Sequence, residues 1–332
     1  MARPVVCLML HGIGTYFADA EDSVFNKDDF DFDLYDALRS SIDFQTLPRI
    51  HTDPLTERLA GKVIWQPVLW AQRQLERRQL KIEKGRHRGP GWGRAFSLMV
   101  SGMGDAAAYQ FRERENGFYK GTVYSDIQNT LFRFLERIEK GLIAEGIDPM
   151  TVPVVVFAHS MGCHVLSSYA WDAQCRPERV NRSGNVSAFC RLETLASVVF
   201  AGCNIPLLNM GVPDNRKIPL RVAKGDWGGE QIWESFYDPD DLLGYAIENE
   251  YKAWFAGLHP HADKFLSDEA LNGFKRDPAT EIRPVDRKIE LGEGFSSAFR
   301  RVMATTPMSH EYYWFDKRVI DTARTAIQNL MD

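Results

Sequence analysis

The chain has 332 residues, 44% of them hydrophobic, and a formal net charge of −5. That is enough apolar material for one sizeable core, and the mild negative charge gives no general attraction to nucleic acid or anionic membranes. No apolar run approaches the ~20 residues of a membrane-spanning helix. The five cysteines are odd in number, and three fall in or beside core segments, which suits buried reduced thiols better than a disulfide framework.

Taken in chain order, the first element is an apolar run, Pro4 to Leu10, that breaks at His11-Gly12-Ile13-Gly14. It reads as a buried parallel strand entering a tight loop. A core strand this early leaves no room for a signal peptide, so a cytoplasmic location is expected. An acidic stretch, Asp19 to Asp36, follows. After a second strand over 62–69 comes a basic one, Arg73 to Arg94, with eight Lys or Arg against two Glu. Both read as solvated segments. The basic stretch carries no accompanying motif, and no nucleic-acid partner is expected.

The segment 71–118 exceeds a short connection and holds the breaker Gly89-Pro90-Gly91-Trp92-Gly93 and a Met-rich run from Phe96 to Met103. A helix over 119–144 follows, with Val123, Ile127, Leu131, Leu135, Ile138 and Leu142 on one stripe. Four more strands are read at 152–158, 195–201, 231–237 and 287–292, with a second long segment, 242–286, containing Trp254, Phe255, Leu258 and Phe265. The last helix spans 316–330, with Asp316 as N-cap and Val319, Ala323, Ala326, Ile327 and Leu330 on its buried face. Strands alternating with helices imply an α/β class with a mainly parallel sheet.

The third strand ends in Ala158-His159-Ser160-Met161-Gly162. A serine held in a sharp strand-to-helix turn needs small residues two positions either side, here Ala158 and Gly162. The helix that starts there aims unsatisfied N–H groups at any anion formed beside the serine. With His11-Gly12-Ile13-Gly14 after one core strand and Ala158 to Gly162 after another, the chain resembles the α/β-hydrolase superfamily. It is closest in wording to small bacterial lipases and esterases. The resemblance implies a single α/β-hydrolase domain over 1–332, with a mostly parallel, doubly wound sheet of about six strands and helices on both faces. It also implies cap-like insertions at 71–118 and 242–286, although packing on the core or an oligomer contact would account for them equally well. Cys163 stands where such proteins usually carry glycine.

The superfamily orders its catalytic residues as Ser, acid, His. After Ser160 the histidines are His164, His259, His261 and His310. His164 lies one turn down the helix, and His259 and His261 precede the last strand. His310 follows it, where the superfamily places its base. The acid is expected after the strand 231–237, in Asp238-Pro239-Asp240-Asp241. Asp241 is preferred, Asp238 is the alternative because an Asp-Pro pair can serve the turn instead, and Asp240 is a third option. Asp226 precedes its strand and lies at the wrong edge. By the resemblance, the oxyanion donors are the N–H groups of Ile13 and Met161. His11 is read as holding the loop and His159 as packing beside the turn. No cysteine occupies the nucleophile position. The expected activity is hydrolysis of a small-molecule acyl ester by a serine hydrolase with a Ser-His-Asp triad and no metal or organic cofactor. A thioesterase, an amidase or a non-catalytic binding protein of the same fold are the alternatives.

Overall fold

The computed structural model describes residues 3–12, 49–51, 63–68, 70, 109, 113–114, 117–118, 123–181, 183–211, 219–257, 278–290, 310, 313 and 316–331. The acidic stretch, the basic stretch, the Met-rich run and Leu258 and Phe265 lie outside these residues.

The strands, in chain order, are β1 (Val5–Leu10), β2 (Arg49–His51), β3 (Val63–Val68), β4 (Glu113–Arg114), β5 (Gly117–Phe118), β6 (Val154–His159), β7 (Leu195–Ala201), β8 (Trp233–Tyr237) and β9 (Val285–Lys288). Seven of them form one sheet in the order β2-β3-β1-β6-β7-β8-β9, parallel at every pairing. The pair β4–β5 forms a separate antiparallel ribbon. The three long helices are α1 (Val123–Ala144), α2 (Met161–Cys175) and α3 (Lys317–Met331).

The central strands explain themselves. β1, β6 and β7 are buried along their whole length, so each reads as an unbroken apolar run instead of an alternating one. Alternate side chains still part to opposite faces. Val6, Leu8, Leu10, Val154 and Val156 join the core that includes Ile127, Leu131 and Leu135 of α1 and Val165, Leu166 and Tyr169 of α2. Val5, Cys7, Met9, Val155 and Phe157 join the other, with Val319, Ile320, Ala323, Ala326, Ile327 and Leu330 of α3. The sheet is therefore sandwiched between helices on both faces. α3 opens as its cap residue dictates, with Asp316 Oδ1 accepting the Arg318 N–H at 2.8 Å.

All six anticipated strands are present, with two differences at the sheet edges. β2 is only three residues long and carries no pattern of its own. β9 lies at Val285–Lys288, two to four residues earlier than the run 287–292. As an edge strand with exposed side chains it lacks an apolar signature, and buried Ile289, just beyond it, draws the eye too far along the chain. In the segment 242–286, the described part buries Ile247, Tyr251 and Trp254 in the main core. All five cysteines are free and buried. No helix among the described residues is long and apolar enough to cross a membrane.

The chain leaves β1 toward β3 on one side and returns to β6 on the other. The order reverses between these two central strands, and the carboxyl ends of such a switch point form the natural crevice of a parallel sheet. His11-Gly12 and Ser160 lie at those ends.

Candidate active site

Ser160 occupies the turn between β6 and α2 with φ 53° and ψ −123°. This is a costly backbone conformation for a residue with a side chain, on the order of 1–3 kcal/mol, and it persists only where the surroundings enforce it. Here β6 ends with the Ser160 N–H bonded to Ala201 O at 2.9 Å, and the Cys163 N–H bonds Ser160 O at 3.1 Å. The neighbours must be small for a measurable reason. A Cβ on Gly162 would lie 2.6 Å from His11 O and 2.8 Å from Leu10 O, so any larger residue would push α2 off β1. Cys163 does not project outward, because its thiol donates back to Ala158 O at 3.2 Å.

The loop after β1 closes over the same point. A Cβ on Gly12 would come within 2.8 Å of Ser160 Cβ. His11 holds this loop, as its position suggested: its Nδ1 lies 2.7 Å from Gly12 O and its ring stacks on Trp70 at 4.9 Å. Trp70 in turn donates from Nε1 to His11 O at 2.8 Å. Met161 opens α2, so its N–H belongs to the first-turn donors that have no acceptor within the helix. Ile13 lies outside the described residues, as do His259 and His261.

His310 is brought to the turn from 150 positions away. Its ring lies against Gly202, the residue after the backbone partner of Ser160, where a Cβ would sit 2.9 Å from His310 Cε1. Gly202 itself has φ 55°, which glycine adopts freely. His159 fastens this arrangement, with its Nε2 2.6 Å from His310 O and the two rings 4.7 Å apart. A carbonyl can only accept, so His159 carries its proton on Nε2. Burial and the neighbouring His310 lower its pKa to about 3, keeping the ring neutral.

Asp241 completes the group. Its Oδ2 lies 2.7 Å from His310 Nδ1, and its Oδ1 accepts the Leu243 N–H at 2.9 Å. Burial raises the Asp241 carboxyl, but hydrogen bonds from His310, Leu243 and Tyr313 outweigh it and hold the group below the usual carboxylate range. Asp238 turns its carboxylate to its own loop, accepting the Asp240 N–H at 2.9 Å. Of the three candidate acids, only Asp241 meets the imidazole among the described contacts. His164 instead packs edge-on to Tyr109, with ring centres 5.7 Å apart.

With Nδ1–H directed at a carboxylate, neutral His310 presents its lone pair at Nε2. That nitrogen is buried and has no hydrogen-bond partner among the described residues; the same is true of Ser160 Oγ. No hydrogen bond joins the two, as is common before a substrate draws such groups together. Ser160 has no exposed surface, and His310 has only 5%. Among the described residues, no group of three His, Cys, Asp or Glu side chains is placed to hold a metal ion. Three contributors escaped the sequence reading: Trp70, Tyr313 and the anchoring bond of His159. Only Trp70 had a usable signal, because β1 and β3 run parallel with Leu10 opposite Val68, which carries position 70 up to His11.

Compared with family models, curated proteins and solved structures, the chain finds no match in any of the three.

Proposed function

We propose that the protein is a serine hydrolase of the α/β-hydrolase superfamily that cleaves a carboxylic ester. Ser160 Oγ attacks the carbonyl carbon while His310 Nε2 takes the hydroxyl proton. Asp241 steadies the resulting imidazolium. The N–H of Met161, joined by that of Ile13, receives the oxyanion, and each such donor is worth about 3 kcal/mol to the transition state. His310 then returns the proton to the departing alcohol. Water, activated by the same imidazole, releases the acid from Ser160.

One observation carries this reading: an imidazole bonded to a buried carboxylate, with its far nitrogen unpartnered, packs on Gly202, one residue after the backbone partner of a serine held at φ 53°. An ordinary core histidine has no need of either feature. Esters, thioesters and amides make the same demands on these groups, so the scissile bond is best assigned with a substrate panel spanning the three.

A second reading, a non-catalytic binding protein on this fold, is favoured by the complete burial of Ser160. A fluorophosphonate probe separates the two. The hydrolase reading expects covalent labelling of the native protein at Ser160 and none in Ser160→Ala. A native protein that stays unlabelled at millimolar probe would leave the binding protein standing.

A further inference from the structure

Two pairs of residues, each three positions apart in the chain, meet at the acid. In the first, the Asp241 N–H bonds Asp238 O at 3.0 Å. The second is His310 and Tyr313. Tyr313 is fully buried, and its hydroxyl is used twice: it accepts the Asp238 N–H at 2.8 Å and donates to Asp241 Oδ2 at 3.0 Å. That carboxylate oxygen is the one bonded to His310 Nδ1. The phenol ring also stands edge-on to His310, with centres 6.2 Å apart and planes at 86°, and lies 6.1 Å from the His159 ring.

We infer that Tyr313 is a positioning residue for the His310–Asp241 pair, and that its hydroxyl, braced by the Asp238 backbone, fixes the carboxylate and shares its charge with the imidazole. This rests on the hydrolase reading above. The backbone N–H of Asp238 leaves the phenol oxygen only one direction in which to send its own proton, toward Asp241. Burial and the Asp241 charge both push the Tyr313 phenol well above its ordinary range, so it remains a donor. A second donor on Oδ2 does two things. It stops the carboxylate from rotating off His310 Nδ1, and it withdraws part of the negative charge that would otherwise bind the imidazole proton too tightly. A base that holds its proton too tightly is idle at neutral pH. The arrangement also gives Asp238 a role that its side chain does not reveal: it acts through its main chain.

The experiment follows the rate of Ser160 labelling by a fluorophosphonate against pH, together with the melting temperature. Tyr313→Phe keeps the ring and removes the hydroxyl. Labelling should slow by about ten- to a hundredfold, the loss of one hydrogen bond to a charged group. The acid limb of the profile should move to higher pH, because His310 then faces an undivided carboxylate charge. Should this variant fold poorly, 3-fluorotyrosine installed at position 313 keeps the hydroxyl and makes it a stronger donor, and the limb should then move to lower pH. Slower labelling with an unmoved limb would mean that Tyr313 only packs, and would overturn the inference. So would a wild-type rate and profile in both variants. If native Ser160 takes no probe at all, the hydrolase reading itself fails, a result visible before any Tyr313 variant is made.

Discussion

Asp241 and Asp172 invite comparison. Both are buried carboxylates, exposed by 6% and 1%, and each accepts a hydrogen bond from a tyrosine hydroxyl. Asp172 lies on α2, about 18 Å along the helix from Ser160 at the usual rise per residue. Tyr124 Oη and Gln128 Nε2 bond one of its oxygens at 2.6 and 3.2 Å, and Arg179 Nη1 the other at 3.3 Å. Those partners come from α1 and from the one-turn helix Pro177–Val180, so Asp172 ties three helices together. Burial pushes its carboxyl up to about 6, more than Tyr124 and Arg179 pull it back. Asp241 is held low instead, and its chain of bonds ends in an imidazole nitrogen with nothing attached. Burial and a perturbed acidity are thus shared by a strut and a candidate site. The difference lies in what each carboxylate holds: Asp172 grips a guanidinium, an amide and a phenol that join three helices, whereas Asp241 grips an imidazole, a group able to take up a proton at its far nitrogen.

The comparison can be broken most sharply by paired substitutions. Asp241→Asn should lower the labelling rate of Ser160 by about 10⁴, the size of effect expected when a triad loses its orienting carboxylate. Asp172→Asn should leave it within about threefold, since the lost ion pair lies three turns from the serine. Similar losses in both variants would erase the distinction between strut and site.

Stability should reverse the ranking. The folded Asp172 carboxyl binds its proton more tightly than the unfolded one, so its contribution is full below the unfolded value of 3.8 and is lost as pH rises through about 6. That span corresponds to roughly 3 kcal/mol. Urea unfolding at pH 4.5 and 7.5 should therefore show the deficit of Asp172→Asn shrinking at the higher pH. A deficit equal at both would show that Asp172 does not titrate in this window. His159 runs the other way, losing its contribution as pH falls from 6.5 toward about 3, so differences between variants isolate Asp172 where a wild-type curve alone would not. The smallest effect belongs to Asp238→Asn. An amide oxygen caps the Asp240 N–H as a carboxylate does, and labelling should change by less than about threefold.

How far such a site is legible in a sequence depends on how local its physics is. β1, β6 and β7 announce themselves because strands covered on both faces need unbroken apolar residues. The Ser160 turn announces itself because its geometry excludes side chains at 162. His310 and Asp241 were legible only through the order that the resemblance supplied, and for Asp241 the choice among three neighbouring carboxylates stayed open. Tyr313 and Asp172 left no trace. Their partners lie 72 and 48 positions away, and a tyrosine or aspartate in a helical segment looks the same whether its polar atom meets solvent or a buried acid. β2, at three residues, is too short for any periodicity to register.

The anchoring bond from His159 to His310 O, and the seat of α3 against β1, β6 and β7, have a consequence for the order of events in the cell. The strand bearing the serine can pair with its neighbours while the ribosome is still at work. His310 is encoded 150 residues downstream of that serine, shortly before the helix that packs on three central strands of the sheet. Until α3 docks, the apolar side chains that β1, β6 and β7 turn toward it lack that cover. A nascent molecule would therefore be aggregation-prone and, on the hydrolase reading proposed above, inactive until that one docking step.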